Sequence, residues 1–168
     1  MKVINQFIKA KIPNLAFFKD IRVWILLLTL LHFENITAPP FDAHSWRQML
    51  TLMVTRNMVE IDWNFFYPRI DIGGGLTGIT GCEFPTFNII MYLFDSCFGY
   101  QDWYGRLINS LVSCGGLWYF YQVIKRIASE RTAFYATLFL GTSIFFKYSR
   151  KTMPDTFNNL IEIPQSTA

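Results

Sequence analysis

Two acids in basic, aromatic surroundings are the residues most able to do chemistry: Asp42, in Pro39-Pro40-Phe41-Asp42-Ala43-His44-Ser45-Trp46-Arg47-Gln48, and Asp155, in Tyr148-Ser149-Arg150-Lys151-Thr152-Met153-Pro154-Asp155. Brought together, two carboxylates can orient a hydroxyl or amine and take its proton as it attacks a sugar carbon. Asp42 has a second reading as the N-cap of the helix that follows it, and the two roles are compatible. Glu83, in Gly81-Cys82-Glu83-Phe84-Pro85, is either a first-turn acid on a helix dipole or a site residue that meets a metal or an acceptor. His44 is a candidate divalent-metal ligand beside Glu83, or an ordinary polar contact.

Four cations complete the candidate set. Lys147, Arg150 and Lys151 stand close to Asp155, and Arg47 close to Asp42. Such a cluster binds a phosphate or pyrophosphate through charge-assisted hydrogen bonds, or is held by anionic headgroups. Arg106 is read more simply, as a residue snorkelling from the mouth of an apolar segment.

The elements that must position these residues follow from composition and charge spacing. The chain has 168 residues, 52% hydrophobic and 18% aromatic with only 16% charged; soluble domains usually carry about 25% charged residues. Its net charge of +3 comes from basic residues beside apolar blocks rather than from a stripe, which argues against a nucleic-acid partner. Cys82, Cys97 and Cys114 form no C-x-x-C or Cys/His spacing, so neither a disulfide framework nor a zinc site is expected.

The expectation is therefore an all-α integral membrane protein, a single membrane domain with spans at about 22–37, 107–124 and 132–148. Lys2, Lys9, Lys11, Lys19 and Arg22 precede the first span, and Lys125, Arg126 and Arg131 lie between the second and third. Placing both groups on the cytoplasmic side leaves 38–106 as an outer loop and 149–168 as an outer tail. Within the loop, Trp46, Met49, Leu50, Met53 and Val54 recur at helical spacing, so a surface helix is expected at about 43–58. A second, at about 86–98, is too short to span and ends with Asp95 in its last turn. Asn109, Ser110, Ser113 and Gly115-Gly116 are read as small residues that let helices pack closely.

In this order and spacing the residues resemble the polytopic glycosyltransferases of the GT-C class, in particular family 39 and the aminoarabinose-transferase-like (RgtA/B/C/D-like) proteins. The likeness runs through Phe41 to Gln48, Phe66-Tyr67-Pro68-Arg69-Ile70-Asp71, Glu83-Phe84-Pro85, Phe98-Gly99, Gly105-Arg106-Leu107 and Tyr148 to Asp155. It implies that Asp42 and Asp155 are the catalytic acids, that Glu83 is a cavity residue able to touch a metal, and that a sugar moves from a polyprenyl-phosphate donor to a glycan, lipid or protein acceptor outside the cytoplasm. The location implied is a bacterial inner membrane, with membrane lipids around the bundle and the N-terminus in the cytoplasm.

Ala43 and Phe84 depart from the pattern, which carries a second acid and, in one branch, a lysine there. Relatives of this kind continue through eight or more further spans, so the chain is read as the N-terminal portion of such an enzyme, inactive by itself. The alternative is a non-enzymatic membrane assembly or scaffold subunit. A transporter is a weaker third reading, since the expected spans hold few polar residues.

Overall fold

The computed structural model describes residues 20–41, 44–64, 66–71, 74–81 and 85–156. Their regular structure is helical, with one isolated antiparallel bridge between Arg69 and Ile79. Local chemistry sets most helix ends. Helix α1, Ile21–His32, starts where the Asp20 carboxylate accepts a hydrogen bond from the Arg22 amide at 2.9 Å, and the chain turns away through Asn35 in the left-handed region. Helix α2 is Ser45–Glu60, with His44 in the N-cap position. Helix α3, Thr86–Phe98, begins after Pro85 and stops at Gly99, whose φ of 84° few other residues adopt.

Helix α4, Tyr104–Ile127, is joined by a short turn to α5, Glu130–Thr142. The Ser129 side chain accepts from the Thr132 amide at 3.2 Å, and Lys125 pairs with Glu130 at 2.9 Å. That pairing raises the lysine and lowers the glutamate, in each case chiefly through their shared hydrogen bond. Ser143 then ends α5 and, accepting from the Phe146 amide, starts the short α6, Ile144–Ser149.

Two apolar clusters hold the helices together. In the first, Ile21, Ile25 and Leu28 of α1 meet Leu117 and Tyr121 of α4, Ala133 of α5 and Phe146 of α6. In the second, Leu52 of α2 packs with Phe87 and Met91 of α3 and Ile108 of α4. Asn88 strengthens the α2–α3 contact by donating to the Thr51 carbonyl at 2.8 Å and the Thr55 hydroxyl at 2.9 Å. After α2 the chain folds back on itself. The Ile70 amide donates to the Gly78 carbonyl, Arg56 pairs with Asp71, and Asn57 donates to the Arg69 carbonyl and to Asp71.

The expected integral membrane bundle is corrected. Among the described residues no helix is long and apolar enough to cross a membrane, and this removes the grounds for three spans, for a multi-pass inner-membrane location and for assigning loops to membrane faces. The first expected span stops at His32: a 12-residue helix is about 18 Å long, against a hydrocarbon core of about 30 Å. The third is broken at Ser143 into α5 and α6, because the serine caps both. The second, α4, has the length with 24 residues but not the composition, carrying Arg106, Lys125 and Arg126 near its ends and buried Asn109, Ser110 and Ser113 between them.

Two finer readings change as well. The buried residues of α2 include Gln48, Thr51, Thr55 and Asn57 beside Leu52, Val54 and Met58, whereas Trp46 is 63% exposed, so of the expected apolar residues Val54 is in the packed face and Trp46 is outside it. The glycines that permit close approach are Gly105, under Thr152 and Met91, and Gly141, under Leu28; a Cβ on Gly115 would meet open space.

Candidate functional site

Asp155 sits in the turn that follows α6, and that turn is fixed from below by α4. Asn109, fully buried, donates to the Lys151 carbonyl at 2.5 Å and the Met153 carbonyl at 2.9 Å. One helical turn on, Ser113 shares a 2.7 Å hydrogen bond with Ser149. From α2, the Gln48 side-chain Oε1 accepts from the Thr152 amide at 3.4 Å. Residues spread over more than a hundred positions thus set one short segment.

The segment delivers Asp155 to Arg47 of α2, whose guanidinium lies 2.9 Å from the carboxylate with both side chains about half exposed. Tyr148 stands at the centre of the surrounding group. The Lys151 ammonium lies 5.1 Å from the centroid of its ring, and the His44 ring packs edge-on against it at 5.9 Å. Tyr148 and Asp155 also line a groove of about 460 Å³ between α4, α5 and α6. The rest of its wall is mostly apolar, including Val112, Leu117, Phe120 and Phe145. An apolar groove whose wall includes a carboxylate paired with a guanidinium suits a molecule with a hydrocarbon part and a charged, hydroxyl-rich head.

The remaining cations go elsewhere. Arg150 donates to the His32 carbonyl at 3.3 Å and the Glu34 carbonyl at 2.8 Å, and Arg106 donates to the carbonyls of Asn35, Ile36 and Ala38. Both arginines therefore bind carbonyls at and beyond the C-terminal end of α1, where the helix dipole favours positive charge. For Arg106 this replaces the snorkelling reading. With Asn35 and Lys151 they also line a pocket of about 230 Å³. Lys147 is exposed and lines a further cavity on the other side of Phe146.

Asp42 and Glu83 lie outside the described residues, as do Ala43 and Phe84. Among the described residues there is no group of three His, Cys, Asp or Glu side chains arranged to hold a metal ion. The structure thus brings together Arg47, His44, Lys151 and Asp155, and places Lys147 and Arg150 around a different cavity.

Two buried titratable groups were not singled out as such from the sequence. His32 is only 6% exposed, with both ring nitrogens lacking hydrogen-bond partners, and burial together with the nearby Arg150 lowers its pKa to about 4. Asp95, 3% exposed, is pushed up to about 6 by burial, against the opposing hydrogen bond from the Gln101 amide. The sequence signal for His32 was a lone imidazole inside a leucine run, and for Asp95 an acid one turn before Gly99.

The chain matches no protein-family model, no curated protein and no solved structure.

Proposed function

We propose that this chain takes part in glycosyl transfer from a polyprenyl-phosphate-linked sugar, with the groove holding the prenyl chain and the Asp155–Arg47 pair facing the sugar phosphate. The observation that carries the reading is the apolar groove of about 460 Å³ that opens beside Asp155. In the reaction, an acceptor hydroxyl oxygen forms a bond to the sugar's anomeric carbon as the bond from that carbon to the phosphate oxygen breaks. Asp155 takes the hydroxyl proton, and Arg47 neutralises charge on the departing polyprenyl phosphate. Lys151, behind Tyr148, adds positive potential at the same end.

The test is photo-crosslinking of the full chain with a radiolabelled polyprenyl-phosphate sugar bearing a diazirine on its prenyl chain. Label is expected on groove residues such as Val112, Phe120 and Phe145, competed by unlabelled polyprenyl phosphate, with capture about 10-fold weaker in Arg47→Met. Label scattered over the surface, or undiminished in Arg47→Met, overturns the reading.

A second reading, a non-enzymatic assembly subunit, is favoured by one observation. Leu26, Leu27, Leu30 and Leu31 of α1 and Tyr135 and Phe139 of α5 are between 42% and 80% exposed. Apolar faces of this kind mark interaction surfaces. Asp155→Asn separates the two readings: it abolishes sugar transfer by an enzyme and leaves subunit association untouched.

A further inference from the structure

On the far side of Phe146 from the groove lies a second cavity, of about 500 Å³, between α1, α5 and α6. Its character is different. Lys147 and Arg150 line it, Glu34 is the one acid among its described residues, and Leu28 and Phe146 supply apolar wall. His32 lines it too, its ring tilted against that of Phe146 with centroids 4.2 Å apart.

Capping explains part of this arrangement and leaves part unexplained. Arg150 spends one terminal nitrogen on the carbonyls of His32 and Glu34, which accounts for its position at the end of α1. Its other nitrogens and the Lys147 ammonium make no hydrogen bond or ion pair among the described residues. His32 is the stronger indication. A buried polar group without a hydrogen-bond partner is unfavourable, and this one, without such a partner among the described residues, belongs to a side chain that lines a cavity two cations share. A neutral imidazole always keeps one N–H to donate. A donor beside a lysine and an arginine is the chemistry that receives an oxyanion.

We propose that this cavity binds a phosphate group, free or carried on a hydrocarbon chain, held by Lys147 and the unengaged edge of Arg150, with the His32 ring turning one of its buried nitrogens towards it on binding. Leu28 and Phe146 receive the chain if there is one. The positive field is reinforced from the adjoining 230 Å³ pocket, where Arg106 and Lys151 stand on the other side of Arg150 and Asn35. This site does not depend on the transfer reading, which concerns the opposite face of α6.

The chain's two histidines make the test direct, because His32 lies in this cavity and His44 lies against Tyr148 at the mouth of the groove. Ring ¹H–¹⁵N spectra of the full chain labelled at histidine are recorded while inorganic phosphate, and separately hexyl phosphate, is added. Saturable movement of the His32 signals is expected, with affinity about 5- to 10-fold weaker in Lys147→Ala and recovered in Lys147→Arg. Lys147 is exposed and packs against nothing that would unfold the chain when shortened. Hexyl phosphate binding more tightly than phosphate marks a lipid-borne headgroup, and equal binding marks free phosphate; both support the site. Movement of His44 alone would send the anion to the groove and overturn this proposal, as would an immobile His32 or one that responds equally in Lys147→Ala.

Discussion

The two sides of α6 handle charge in opposite ways. On the groove side, Asp155 meets Arg47 at 2.9 Å in a half-exposed pair, so charge is compensated locally and the adjoining wall is free to be apolar. On the other side, His32 is buried without a hydrogen-bond partner among the described residues, and Lys147 and Arg150 outnumber the one acid, Glu34, that the described residues bring to the cavity. A single six-residue helix separates them, with Phe146 lining both cavities. The paired charges and apolar wall on one side suit hydrocarbon, and the excess of cations on the other suits an anion.

The comparison breaks most severely at the support both sides share. Asn109 holds the carbonyls of Lys151 and Met153 from a fully buried position. Asn109→Ala removes both hydrogen bonds, leaving the Lys151 carbonyl with the Met153 amide at 2.7 Å and the part-buried Met153 carbonyl without the Asn109 donor, with an expected loss of about 2–4 kcal/mol in chemical unfolding. Released from that support, the turn carrying Asp155 loses its register to Arg47. A loss below about 1 kcal/mol would show that Gln48 and Ser113 hold the segment without it.

That support is also where sequence reading stops. Asp20, Pro85, Gly99 and Ser129 carry their helix-end signals in local chemistry, and these are legible without a structure. Asn109 and Ser113 read as small packing residues because their partners, Lys151, Met153 and Ser149, lie more than thirty positions away. Ser143 shows the same limit: within an apolar run nothing signals that its hydroxyl will cap α6 rather than lie along a continuous helix. The hydropathy of residues 22–37 and 132–148 counted apolar side chains correctly but took them for uninterrupted helices. Nothing in the sequence pairs Arg47 with Asp155, 108 positions apart; what produces the contact is the grip of Asn109 and Gln48 on residues 151–153.

A pH series sharpens the contrast between buried and compensated charge. His32, lowered from 6.5 to about 4, stays neutral in the fold while the unfolded chain takes up a proton. Its stabilising share is present above pH 6.5 and is lost as pH falls towards 4, by about 2 kcal/mol. Asp95, raised from 3.8 to about 6, works in the other direction. Its share is present below pH 3.8 and is lost as pH rises through 6, by a similar amount of about 2 kcal/mol. Between pH 4 and 6 the two slopes oppose each other. His32→Phe should therefore gain over the native chain as pH falls from 6.5 to 4, and Asp95→Asn should gain as pH rises from 4 to 6. Unfolding free energies of the three proteins across this range check both signs, and parallel curves would mean that neither group is desolvated as described.

The smallest effect concerns the compensated pair. Charges as exposed as Arg47 and Asp155 are screened by water, so a double-mutant cycle with Arg47→Met and Asp155→Asn should give a coupling of about 0.5 kcal/mol in stability. That low value matters for function. If Asp155→Asn abolishes transfer while stability hardly changes, the carboxylate acts on substrate, since its structural contribution is too small to account for the loss. A coupling of about 2 kcal/mol or more would instead make the pair a structural tie between α2 and the turn after α6. Loss of transfer in Asp155→Asn would then carry no information about chemistry, and the contrast between the two sides of α6 would rest on His32 and Lys147 alone.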